Sequence, residues 1–142
     1  MIYSAVPFVA HKVKFNFINV IHPSAVIANN VEIHDGAQIM AGTVINSSTI
    51  IGSNCIVNTN SSVDHDCIIS RYCSINPGVA LGGHVTLGEF SSIGIGSAVI
   101  HNIKIGLFTL GIQLFVDKNL KVHGFKNLFI NGSSIFRTGG HC

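Results

Sequence analysis

From Ile21 onward an aliphatic side chain returns at every sixth position: Ile21, Ile27, Ile33, Ile39, Ile45, Ile51, Val57, Val63, Ile69, Ile75, Leu81, Leu87, Ile93, Val99 and Ile105. All fifteen positions in the series are Ile, Val or Leu, although these three types make up under a third of the chain. A second register runs four residues behind the first and holds small or β-branched residues, among them Ala25, Ala37, Thr43, Thr49, Cys55, Ser61, Cys67, Cys73, Ser91 and Ser97. Turn-prone pairs such as Asn29-Asn30, Asp35-Gly36, Ser53-Asn54 and Pro77-Gly78 fill the gaps. These residues favour tight turns through side-chain bonding, a fixed φ or tolerance of positive φ.

A period of six matches neither the 3.6-residue repeat of an amphipathic helix nor the two-residue repeat of a strand. It predicts a short strand followed by a corner, with the aliphatic residue pointing inward and the small residue filling the crowded corner. Three such units close a triangular coil of eighteen residues, and fifteen make about five coils. Coils stack at the strand spacing of about 4.8 Å, so residues eighteen apart should lie one above the other. The expected fold is all-β, a parallel β-helix over residues 21–110. The period leaves its handedness open, since either hand repeats every eighteen residues.

After Gly106 the pattern fails, and Gly111 stands where an aliphatic residue is due. Residues 1–20 precede the first coil as a linker or extension, and residues 111–142 follow as a divergent tail. The tail is either loosely ordered or caps the last coil, whose end would otherwise expose a sheet edge.

Composition narrows the function. Only 10% of residues are charged and the formal net charge is +2, too weak and scattered for a nucleic-acid partner. No run of about 20 apolar residues is present, so membrane insertion is not expected. The apolar N-terminus lacks a basic leading segment, and His11, Lys12 and Lys14 follow directly, unlike an export signal. The cysteines, Cys55, Cys67, Cys73 and Cys142, show no zinc-type spacing. Reduced thiols in a cytoplasm are expected, with the first three acting as small buried residues.

The segment Val63-Asp64-His65-Asp66-Cys67, together with Ile21-His22-Pro23-Ser24-Ala25 and Ala80-Leu81-Gly82-Gly83, resembles the sialic-acid and UDP-amino-sugar acetyltransferases. These are hexapeptide-repeat proteins with a left-handed β-helix. The resemblance covers roughly residues 17–106. It implies an acetyl-CoA-dependent acetyltransferase acting on the amine or hydroxyl of a sugar or nucleotide-sugar, in surface polysaccharide or glycan biosynthesis. It also implies a cytoplasmic homotrimer with the coenzyme between subunits. In this family the histidine corresponding to His65 is the general base and the acidic residue after it, here Asp66, raises its basicity. Imidazole suits the task because its pKa lies near the working pH. Taken alone, a corner histidine would be an ordinary polar turn residue.

Acetyl-CoA contacts carried over from the family fall on Ser74 and Gly83. Relatives commonly hold a second histidine where this chain has Ser74, whose hydroxyl can donate a hydrogen bond but cannot share a proton's charge. Gly83 suits close backbone approach to a ligand, and eighteen residues after His65 it should leave open space over the base. His84, eighteen after Asp66, should stack on that carboxylate, either as a surface ladder pair or as a competitor for it.

Family members also carry an N-terminal α/β domain that holds the nucleotide-sugar, so the resemblance implies a chain truncated at its N-terminus. The alternative is a catalytically inactive β-helix remnant that only oligomerises. No metal is expected, because β-helix zinc enzymes carry histidine pairs five apart and the eight histidines here contain none. Residues 116–141, with Val122-His123-Gly124, Asn127-Leu128 and Gly132-Ser133-Ser134, resemble the C-terminal segment of glucose-methanol-choline oxidoreductases. The dinucleotide-binding region of that family is not in the chain, so no flavin is expected.

Overall fold

In the computed structural model the described residues are 17–107, with the backbone of Phe115–Val116, Leu128–Ile130 and Ser133–Ile135 beyond them. Fifteen two-residue strands run from Val20–Ile21 to Lys104–Ile105, one in every hexapeptide. Each pairs in parallel with the strand eighteen residues away, for example Ser74 with Ile56 below and Ser92 above. Three sheets result, and they are the faces of a triangular solenoid of about five coils, consistent with the expected left-handed β-helix. The first face is built on Val20–Ile21, the second on Val26–Ile27 and the third on Glu32–Ile33.

The sixfold register explains the core. The second residue of each strand points inward, and from Ile39 to Ile105 these side chains are buried. At the N-terminal end, Ile21 remains 45% exposed, with no coil beneath it among the described residues. Burial of this continuous aliphatic column supplies most of the driving force, at about 25 cal/mol per Å² of apolar surface.

The small register does more than save volume. Thr43, Thr49, Cys55, Cys67, Cys73 and Ser91 each donate a side-chain hydrogen bond to the backbone carbonyl fifteen residues on, such as Thr49 to Asp64 at 2.7 Å and Ser91 to Gly106 at 2.8 Å. These bonds give inward-turned corner carbonyls a partner, where a buried carbonyl left unbonded costs about 1–3 kcal/mol. Where the register holds a hydroxyl or thiol, that group is bonded to the backbone, while Ala37, Val79 and Val85 only fill the corner. No described buried side-chain nitrogen or oxygen is left unbonded. Burial pushes the Cys67 thiol above its ordinary pKa. Cys73 is raised by its hydrogen bond with Cys55 and then by burial. Cys55, Cys67 and Cys73 are free and buried, as expected of small core residues.

The corners need the left-handed backbone region. Glycine supplies it at Gly36, Gly42, Gly78 and Gly96, and side-chain-bearing residues supply it at eight others, including Asp66 (φ 56°) and His84 (φ 57°). Asn, Asp and His tolerate that region better than most. Tyr72 and Phe90 also adopt it, and their rings stack at 4.9 Å with Arg71 paired to Glu89 beside them. A stacked pair of this kind offsets part of the backbone cost.

Beyond the fifth coil the rise is one residue short. Phe115 pairs with Ala98 in parallel, a step of 17 (115 − 98) instead of eighteen, and extends the second face. Leu128–Ile130 then pairs antiparallel with Lys104–Ile105, and Ser133–Ile135 antiparallel with Leu128–Ile130. These backbone pairings extend the second and third faces at the C-terminal end. Most of the segment resembling an oxidoreductase, and Cys142, lies outside the described residues. Among the described residues no helix is long and apolar enough to cross a membrane.

Candidate active site

His65 and Asp66 form the two turn positions of the corner between the strands Ser62–Val63 and Ile68–Ile69, which joins the second face to the third. Both strands end in buried residues, Val63 and Ile69, so the corner is pinned at each side while its side chains stand in solvent. Hydrogen bonds from the coil below complete the anchoring. Thr49 Oγ1 donates to the Asp64 carbonyl at 2.7 Å and accepts from the Cys67 amide at 3.2 Å. Asp66 N–H donates to the Ser47 carbonyl at 2.9 Å.

The imidazole of His65 turns toward its neighbour. Its Nδ1 lies 2.7 Å from Asp66 Oδ2. An ionised carboxylate can only accept, so Nδ1 carries the proton and Nε2 keeps the free lone pair. The bond to Asp66 raises the His65 pKa above the ordinary histidine value, with desolvation opposing it and the charges of Asp64 and Asp66 adding to it. The pair has the geometry of an oriented general base with its accepting nitrogen directed away from the carboxylate.

Asp64, which motif reading passed over, is a second support. Its Oδ1 accepts from the His65 amide at 2.9 Å and from Asn46 Nδ2, eighteen residues earlier, at 2.8 Å. The Asn46 bond first, and the His65 amide next, lower the Asp64 pKa. The carboxylate thus stays ionised while it caps the turn that carries His65. The signal was in the sequence, since Asn46 and Asp64 share a place in successive coils.

One expectation is corrected at Gly83. The space above the base is not open, because the His65 ring itself occupies it. A Cβ built on Gly83 would sit 2.8 Å from both Cε1 and Nε2 of His65. The glycine is needed first for the catalytic candidate's own ring, and its φ is not in the left-handed region. Gly83→Ala should therefore push the imidazole off Asp66. The expected result is an His65 titration, followed by NMR, that moves down toward the ordinary value, with the fold retained. An unmoved titration would refute this account of the glycine.

His84 stacks as the eighteen-residue rule predicts. Its Nε2 stands 3.8 Å from the same Asp66 Oδ2, and its ring meets His65 edge-on at 5.2 Å between centroids. At 2.7 Å His65 holds the carboxylate more closely. Among the described residues, His65, Asp66 and His84 are also the one group of three donor side chains whose ligating atoms lie within 4.8 Å of one another. A search for histidines five apart does not find it, because the donors come from adjacent coils.

Ser74 does not join this cluster. It lies in the strand Ser74–Ile75 on the first face, with Oγ donating to Asn76 Oδ1 at 3.3 Å. It follows His65 by nine residues, half of an eighteen-residue coil. It therefore lies on the face opposite the corner that carries His65 and Gly83.

No protein-family profile matches the chain, and no curated protein matches it. Solved structures do. A histidine-to-alanine variant of GDP-perosamine N-acetyltransferase from Caulobacter crescentus, in complex with CoA and GDP-perosamine, matches with 31% identity and a TM-score of 0.73. A histidine-to-asparagine variant of the Caulobacter enzyme, with the same two ligands, matches at 32% and 0.76. Each match covers 86% of this chain and 64% of the other, so the chain spans a little under two thirds of their length. The acetyltransferase domain of PglB from Neisseria gonorrhoeae, in complex with acetyl coenzyme A, shares the fold at 22% identity and a TM-score of 0.56.

Proposed function

We propose that the chain is an acetyl-CoA-dependent acetyltransferase whose acceptor is the amine of a nucleotide-linked amino sugar. The observation that carries this reading is the oriented His65–Asp66 pair on a β-helix similar, at about a third identity, to structures that hold CoA and GDP-perosamine. His65 Nε2 takes the proton from the acceptor nitrogen as that nitrogen attacks the thioester carbon. The C–S bond then breaks, CoA leaves as the thiol and the amide remains. Asp66 holds the ring in the tautomer that leaves Nε2 free and stabilises the imidazolium that forms.

Ser74 and Gly83 are the proposed coenzyme contacts. They lie half a coil apart around the solenoid, so a coenzyme touching both would draw them from two copies of the chain. A homotrimer with the coenzyme in clefts between subunits would bring the two together. The outer residues of the second face, Val26, Val44, Ser62, Ala80 and Ala98, carry no charge and suit packing against another copy. Free, buried thiols fit a reducing cytoplasm, and surface polysaccharide or glycan assembly is the process such a product would feed. In this reading residues 21–110 form the catalytic β-helix, 1–20 a linker or extension and 111–142 a divergent tail without flavin chemistry.

The test is release of free CoA thiol from acetyl-CoA, with GDP- and UDP-linked amino sugars offered in turn. Acceptor-dependent release is expected. A folded oligomer that neither binds acetyl-CoA nor releases CoA with any acceptor would leave the inactive β-helix as the better description.

A further inference from the structure

We propose that His65, Asp66 and His84 form a binding site for a zinc-like divalent transition metal, and that filling it switches the base off. The three donors come from two successive corners: His65 and Asp66 from one coil and His84 from the next. Zinc binds imidazole nitrogen and carboxylate oxygen at about 2.0–2.2 Å, which puts tetrahedral ligands about 3.3 Å apart. The observed separations from Asp66 Oδ2, 2.7 Å to His65 Nδ1 and 3.8 Å to His84 Nε2, bracket that spacing. Both histidines are about half exposed, so their side chains can adjust by the fraction of an ångström required. Three protein ligands leave a fourth position to water, as in open zinc sites.

The consequence for the base follows from proton placement. In the free pair His65 carries its proton on Nδ1 and accepts at Nε2. A metal on Nδ1 excludes that proton, so the neutral ring must carry it on Nε2. That nitrogen then donates and can no longer accept a proton from an acceptor amine. Asp66 is drawn to the metal at the same time and no longer fixes the ring. The ion would therefore act as an inhibitor, distinct from any cofactor of acetyl transfer.

His34 provides an internal control. It makes the same 2.7 Å contact with a carboxylate, Glu32, yet among the described residues it belongs to no three-donor group. The experiment is titration of the full chain with zinc chloride against a chromogenic chelator at neutral pH. One zinc per chain is expected, with affinity falling at least tenfold in His84→Ala and unchanged in His34→Ala. Absence of stoichiometric binding, or equal losses in the two variants, would overturn the site. Circular dichroism confirms that each variant keeps its β-helix. This readout needs no activity, so it stands or fails separately from acetyl transfer. If the chain transfers acetyl groups, zinc at the concentration that fills the site should stop it and a chelator should restore it. A zinc-loaded chain with full activity would overturn the inhibitory role.

Discussion

His65→Ala should lower acceptor-dependent release of CoA by about 10²–10⁴-fold, the usual worth of a positioned general base. The fold should survive, because the side chain is exposed and makes its one side-chain hydrogen bond to Asp66. The loss should appear in kcat, with acetyl-CoA affinity nearly unchanged. The pH profile identifies the group. A general base works when neutral, so the rate should climb as pH rises through the His65 pKa and then level off. Because the bond to Asp66 raises that pKa, the rising limb should lie above the ordinary histidine value of 6.5. In Asp66→Asn the limb should move to lower pH and the plateau should fall, since the ring loses both its charged partner and its fixed tautomer. A limb that stays in place in Asp66→Asn would show that another group titrates. An active His65→Ala enzyme would remove the histidine from the mechanism.

The second large effect concerns stability. Ile75→Ala should destabilise the folded chain by about 2–5 kcal/mol, the range for emptying a fully packed aliphatic site. Ile75 is completely buried, and its strand is held by Ile56–Val57 below and Ser92–Ile93 above. Neither neighbouring coil can collapse into the gap without breaking its own register. Ile21→Ala, at the same position in the first coil, should cost far less, because Ile21 is 45% exposed and, among the described residues, has a coil on one side only. Urea denaturation of the two variants measures the contrast. Equal losses would mean that the described end of the solenoid is covered. The comparison also probes cooperativity, since stacked repeats are stabilised by contacts between nearest neighbours.

Much of this was legible in the residues. The sixfold aliphatic series dictates two-residue strands, an inward column and a coil of eighteen, because each hexapeptide offers one inward position per strand and one per corner. It also foretold that His84 would stand over Asp66. The proposal of His65 as the base came from the resemblance carried by Asp64-His65-Asp66-Cys67, since periodicity assigns a position and not a reaction. Other features were hidden for physical reasons. The hydroxyl and thiol register looked like a demand for small volume, and only the folded corners show that it satisfies carbonyls fifteen residues on. Gly83 looked like room for a ligand, whereas the side-chain torsions of His65 carry the ring back over it.

By itself, then, the sequence determined the parallel β-helix, its core column, its corner positions and which residues share a corner in successive coils. These follow from a fixed period, which any packing of the repeats must respect. Tertiary structure decided what the period leaves free. The direction in which each exposed side chain turns joined His65 to Asp66 at 2.7 Å and left His84 at 3.8 Å. The closure of the coil set Ser74 on the face opposite the His65 corner. Where the repeat ends, backbone pairing decided that Phe115 meets Ala98 one residue early. Past Gly106 the sixfold series no longer predicts a register, so the pairing of Phe115–Val116 with Ala98–Val99 is read only from the fold.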